Sequence, residues 1–216
     1  MGRLQFPVWT DRAVRLLGPV AAIVPLYLLA VLYLGASPTT TDVGYSPTQP
    51  VPFSHALHAG ELGMDCRYCH TTVETAAAAA IPPTATCMNC HKNIAVDSRK
   101  LLPVRESFAS GKPIDWVRVH NLPDFTYFDH SAHVTRGIGC VSCHGRVDHM
   151  EQVYQAETLS MAWCLECHRK PQQHVRRIEF VTDMDWVPEE SQDELGRRLL
   201  EEHNLHPSDD CSTCHR

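Results

Sequence analysis

One five-residue frame recurs five times in this chain: CRYCH at Cys66–His70, CMNCH at Cys87–His91, CVSCH at Cys140–His144, CLECH at Cys164–His168 and CSTCH at Cys211–His215. All ten cysteines of the 216 residues fall into these pairs, and none is left over. A single C-x-x-C is compatible with a zinc knuckle, a redox dithiol or a disulfide. With 14 histidines in the chain, chance placement of one directly after each of five pairs has a probability of about one in a million, whereas the c-type haem attachment signature requires it. Zinc also fits poorly, because closed structural sites take four ligands and five identical triplets do not group into fours. Two thiols three residues apart can reach the two vinyl groups of one porphyrin as thioethers, and the histidine that follows is carried under the iron. We therefore read five covalent haems c on Cys66, Cys69, Cys87, Cys90, Cys140, Cys143, Cys164, Cys167, Cys211 and Cys214, with His70, His91, His144, His168 and His215 as proximal iron ligands.

The chain also carries nineteen consecutive uncharged, mostly apolar residues, Leu16 to Leu34. At about 1.5 Å per residue this run matches the hydrocarbon thickness of a bilayer. Pro25 is expected to bend the helix without ending it, since membrane helices tolerate proline, and Tyr33 sits where an interfacial aromatic belongs. A cleaved signal peptide, whose apolar region usually runs about 7 to 15 residues, and a buried core helix are the alternatives. Arg3, Arg12 and Arg15 precede the run, and no Lys or Arg follows it before Arg67. The positive-inside rule then places residues 1–15 in the cytoplasm, a transmembrane helix over 16–35 and the remainder outside, on the periplasmic side of the cytoplasmic membrane.

Residues 36–52, rich in Pro, Ser and Thr, read as an extended linker. The haem domain, 53–216, contains a repeat offset by 75 positions. Phe53 and Phe128 each open an F-x-H-x-x-H segment, followed by a glycine-containing turn and a CxxCH, and a second CxxCH comes later in each copy. Two dihaem modules thus lie in tandem, with the fifth haem on a C-terminal tail. So little chain per haem leaves no room for a conventional apolar core, and the haems themselves are expected to form much of it. The expected fold class is mostly α with long loops, a multihaem cytochrome c domain on one N-terminal transmembrane helix. One later helix is well marked: Ser191 and Glu194 form a capping box, Leu195 and Leu199 share a face, and Pro207 lies beyond its end.

Nine histidines lie outside the CxxCH frames. Two imidazoles three apart share one helix face, but one iron with its fifth position already taken accepts only one more ligand. Each F-x-H-x-x-H pair, His55/His58 and His130/His133, is therefore expected to serve two neighbouring haems. His120 joins them as a distal candidate. His149, His174, His203 and His206 read as solvated, with His203 or His206 as an option for the C-terminal haem. Methionine is the other possible distal ligand; Met161 and Met150 are the candidates, against the plainer role of packing on a porphyrin.

The stretches VRVHNLPDFTYFDHSAHVTRGIGCVSCHGRVDHM and LSMAWCLECHR resemble the pentahaem cytochrome c subunit of alternative complex III, a bacterial quinol oxidoreductase. The likeness covers most of Phe53 to Arg216; the F-x-H-x-x-H modules are also shared by smaller multihaem cytochromes. It implies mostly bis-histidine ligation with one His/Met haem, which keeps Met161 beside the histidines. It also implies a large iron–sulfur and molybdopterin-like partner subunit, integral membrane subunits that hold the quinol, and a monohaem cytochrome, copper protein or oxidase as acceptor.

The expected function is thus a membrane-anchored, five-haem relay of electrons from a quinol-oxidising complex, with no catalytic substrate site in this chain. A stand-alone multihaem quinol dehydrogenase feeding a periplasmic reductase is the enzymatic alternative, and a tethering protein with structural haems is a third. A formal charge of −6 favours docking to basic partners and gives no support to nucleic-acid binding.

Overall fold

The computed structural model describes residues 6–35 and 41–215 and divides into two units, Met1–Asp42 and Val43–Arg216. The first is dominated by α1 (Val8–Gly35), which contains Pro19 and Pro25 without interruption and buries none of its residues. It is long and apolar enough to cross a membrane. The helix begins eight residues before the apolar run, so that Arg12 and Arg15 belong to its first turns.

The second unit is a set of short helices on long loops. In chain order these are a π-helical turn (Ala56–Glu61), α2 (Cys66–Cys69), α3 (Thr84–His91), α4 (Leu102–Ser110), α5 (His130–Val134), α6 (Val141–His144), α7 (Met161–Arg169), α8 (Gln192–Glu202) and α9 (Cys211–Cys214). Short 3₁₀ turns lie between them at Arg99–Leu101, Val147–His149, Pro171–Gln173 and Ile178–Phe180. No strand occurs among the described residues; the nearest approach is two isolated bridges, Thr126 with His215 and Ile138 with Val175. Local caps start several helices: Asp65 accepts from the Arg67 amide, Asp129 from Ala132 and Ser160 from Trp163.

Apolar burial is sparse. Among the described residues the buried hydrophobic side chains are Val51, Val104, Val134, Met150, Val175, Val181, Leu195 and Leu199. Three of them, Val175, Leu195 and Leu199, form one small cluster with Ile138, Trp186, Leu200 and Leu205 packed against it. It sits under α8, whose apolar stripe faces inward as the Leu195/Leu199 spacing predicts. Ser191 is the N-cap of α8, but its side chain makes no capping bond. The helix start is instead held from outside, where the Gln192 amide donates to the carbonyls of Gln172 and Val175 at 3.0 and 2.7 Å.

The segment read as a linker falls partly outside the described residues, at 36–40. From Gly44 onward it is bound to the haem-motif unit. Gly44 N–H donates to Gln155 and Gln155 N–H to Tyr45. The Gln152 amide reaches the carbonyls of Ser46 and Pro47, Gln49 pairs with the Val117 backbone in both directions, and Val51 is buried. Proline-rich composition marks extended backbone, and extended backbone can still be fully hydrogen-bonded.

α8 packs so closely on the 171–173 turn that a Cβ at Gly196 would stand 1.9 Å from the Gln172 carbonyl oxygen. Gly196→Ala should therefore destabilise the protein by about 1–3 kcal/mol, as overpacking does, despite the roughly 1 kcal/mol that alanine gains in a helix. A chemical denaturation curve measures it, and an unchanged or raised midpoint would contradict this packing.

Candidate haem-binding site

None of the ten cysteines is joined in a disulfide. Each C-x-x-C pair is set on one helical turn, on α2, α3, α7 and α9 or, for Cys140 and Cys143, across the start of α6. Both thiols of a pair therefore leave the same face; His91, His144 and His168 continue their helices, whereas His70 and His215 cap theirs. The glycine-containing turn before the first motif of each module uses Gly63 at φ +64° and Gly137 at φ +80°, a left-handed backbone that suits glycine. At Gly137 a Cβ would also meet the Arg176 carbonyl oxygen.

The imidazoles are oriented by main-chain carbonyls. Nδ1–H of His58 donates to Ser54 at 2.8 Å, His70 to Ala80 at 2.8 Å, and His91 to Ile94 at 3.1 Å. His130 donates to Ala77 at 2.8 Å, His133 to Asp129 at 2.7 Å, and His168 to Ser208 at 2.6 Å. A carbonyl can only accept, so the proton is on Nδ1 in all six rings and the lone pair is left on Nε2, the arrangement that a metal-ligating histidine needs. His149 and His206 are held differently: their Nε2 atoms are engaged, with Arg146 and with Asn204.

Ring separations group these histidines. Two imidazoles on opposite sides of one metal, each with its nitrogen about 2 Å away, have ring centres about 6 Å apart. His58 and His91 are 6.2 Å apart, His130 and His144 6.3 Å, and His133 and His168 6.1 Å. In each pair one ring comes from an F-x-H-x-x-H segment and the other from a CxxCH frame. His55 completes the repeat: burial first, then His70 and His58, lowers its pKa to about 4. Its Nδ1 is buried without a hydrogen-bond partner. Burial, followed by His120, His130, His70 and His55, holds His144 down at about 3. Burial likewise lowers His133 and His120. These rings stay neutral, which is the form that binds iron.

The remaining candidates fall elsewhere. His120 lies edge-on to His144 at 4.5 Å, too close for an iron between the two rings, and its Nε2 is buried and unpartnered. Met161 opens α7 and is 65 % exposed. Met150 is buried, and its carbonyl accepts from the Ala56 amide. His215 lies against Phe125 and bridges to Thr126. The six carbonyls that lock the rings had no sequence signal, because a main-chain acceptor is the same at every residue.

Comparison with known proteins agrees with this donor set. Residues 126–216 match the family of cytochrome c7 and related cytochrome c, and residues 35–121 match the class III cytochrome c family. Over 141 residues the chain is 30 % identical to a protein of Nitratidesulfovibrio vulgaris described as "Menaquinone reductase, multiheme cytochrome c subunit", covering 56 % of this chain and 67 % of that one. The chain belongs to the multihaem c-type cytochromes. Covalently attached haem c at several CxxCH frames follows for this multihaem cytochrome, and the neutral, Nδ1-locked imidazoles fit such a group. Bound there, the haem supplies one-electron iron chemistry. The Nδ1-locked rings of His58, His70, His91, His130, His133 and His168 would hold it through Nε2 and so help to set its potential.

In the matured cytochrome, His58→Ala and His133→Ala should each turn one low-spin haem into a high-spin one, whereas His149→Ala should leave the spectrum unchanged. Electron paramagnetic resonance reads the difference. An unaltered low-spin spectrum in the first two variants would contradict the ring pairing.

Proposed function

We propose that this multihaem cytochrome is a pentahaem electron relay, anchored by α1 in the cytoplasmic membrane with residues 1–15 in the cytoplasm and residues 53–216 on the periplasmic side. Five haems c occupy the five CxxCH frames. The axial pairs are His70/His55, His91/His58, His144/His130 and His168/His133. The observation that carries this reading is the set of three motif-to-repeat ring pairs at the span of a single metal. The register supports the fourth pair, since the first histidine of each repeat serves the first frame of its module and the second histidine serves the second. For the haem of His215, His120 and Met161 remain the distal candidates.

The relay works between a membrane complex that handles quinone and a redox protein outside. The resemblance to alternative complex III favours electrons drawn from quinol through an iron–sulfur and molybdopterin-like subunit and integral membrane subunits, and passed to a monohaem cytochrome, a copper protein or an oxidase. The relative's description as part of a menaquinone reductase favours the opposite direction, with electrons delivered to the quinone. A relay of one-electron carriers serves either, because direction is set by the potentials of the partners. In this reading the chemistry with quinone belongs to a partner subunit.

Gentle solubilisation, a native gel stained for haem and mass spectrometry of the band test this reading. A band of several hundred kilodaltons containing this chain, iron–sulfur and integral membrane subunits is expected. A band at a small oligomer of the 24.3 kDa chain would overturn the subunit reading and favour a stand-alone quinol dehydrogenase. Mixing the complex with quinol or with a reduced periplasmic carrier then gives the direction, as whichever donor reduces the haems within a turnover.

A further inference from the structure

The CxxCH frames are not joined in the fold in the order in which they occur in the chain. Four junctions can be traced. CMNCH meets CRYCH directly, where the Asn89 amide donates to the Tyr68 hydroxyl at 3.2 Å, each residue lying between the two cysteines of its frame. In the proposed ligand pairing His55 and His58, on one turn, serve the same two frames.

CRYCH next meets CVSCH through one loop. The Ala80 carbonyl holds His70, while Ala77 accepts from both the ring and the backbone N–H of His130, at 2.8 and 3.0 Å, and Ala76 accepts from Ser131. The same short loop therefore orients the proximal ring of one frame and the ring opposite His144 of the other. Beside it, the Thr182 hydroxyl donates to Asp65, the N-cap of α2, at 2.9 Å, and the Cys140 N–H donates to the neighbouring Val181 carbonyl.

CVSCH and CLECH are joined by α5, whose His130 faces His144 and whose His133 faces His168. CLECH and CSTCH are joined at the lead-in to the last frame: Ser208 accepts from His168, and Asp209 pairs with Arg169 at 3.4 Å. Tyr127 N–H donates to the Cys214 carbonyl, which seats α9 beside the segment entering α5.

We propose that the five haem frames form a single unbranched path in the order CMNCH, CRYCH, CVSCH, CLECH, CSTCH, with electrons entering and leaving at the Cys87/Cys90 and Cys211/Cys214 ends and CVSCH in mid-path. The inference rests on the five-haem reading. Exposure agrees with it: of the ten cysteines, Cys90 and Cys211 are the exposed ones, one in each end frame. Each transfer oxidises one Fe(II) to Fe(III) and reduces the neighbouring Fe(III) to Fe(II), with no proton or bond changing hands. A one-electron donor protein feeds one end and a one-electron acceptor protein drains the other.

The path places His130 at the midpoint and makes the 76–80 loop one of the bridges between the two modules, beside the Ala56–Met150 and Thr182–Asp65 hydrogen bonds. The N-terminal module is then entered from its second frame, so that the module runs backwards relative to the chain while the C-terminal module runs forwards.

The matured full-length chain, purified with its partners, tests this in two ways. Intact mass first gives the haem count; fewer than five additions would defeat the five-haem reading without bearing on the junctions. Iron positions from anomalous diffraction or cryo-electron microscopy then give nearest neighbours. The expected result is one near neighbour for each end iron, two for each of the other three, and the CRYCH iron next to that of CVSCH. An iron of CMNCH closer to CVSCH than to CRYCH, or any branch, would overturn the path. In solution, C211A/C214A should shift the midpoint potential of one remaining haem. A shift in two or more would place CSTCH inside the path and contradict the proposal; if that variant does not mature, C87A/C90A makes the same measurement at the other end.

Discussion

The hydrogen bond from Nδ1–H to a main-chain carbonyl, made by six histidines, is the interaction on which the haem-motif unit depends. It fixes the tautomer, aims Nε2 and ties a remote loop to the ring in one contact. The His168 bond to Ser208 pins the C-terminal tail 40 residues away, and the His130 bond to Ala77 spans 53 residues. In a chain with few buried apolar side chains, these bonds carry long-range order that an ordinary domain would take from its core. In the proposed ligand pairing their donors are the iron ligands, so the bonds that shape the fold would also tune the iron.

Sparse apolar packing and haem attachment are two sides of one constraint. The cluster of Val175, Leu195 and Leu199 stabilises the α8 region alone, while the modules on either side of CVSCH have little of their own to bury. A porphyrin is a large, flat apolar body, and burying several of them supplies what the side chains do not. Folding and covalent maturation are therefore coupled, as metal binding and folding are in other small domains that lack a sufficient core. Neutral imidazoles at His55 and His144, kept so by burial, sit where those bodies belong.

Much of this was legible in the sequence. The CxxCH frames, the paired F-x-H-x-x-H segments and the helical character with no strand among the described residues all follow from local spacing. The separation of ligating from non-ligating histidines was partly legible: the repeat singled out His55, His58, His130 and His133, and the structure gives three of the four a ring partner at the distance of one metal. The capping box of Ser191 was misread because tertiary hydrogen bonds from Gln192 took over the start of α8. The segment before Phe53 was read as an extended linker, and its hydrogen bonds to Gln152, Gln155 and Val117 had no sequence signal, because composition reports backbone preference and says nothing of partners.

The sequence by itself determined the inventory: which thiols attach, which imidazoles follow them and which imidazoles are spare. Thioether attachment and helix-face geometry act over three or four residues, so the pattern survives without any fold. Which ring faces which, and which frame neighbours which, was decided only by tertiary structure. Those choices rest on backbone carbonyls such as Ala77, Ala80 and Ser208, which carry no side-chain signature and become acceptors only when distant segments meet.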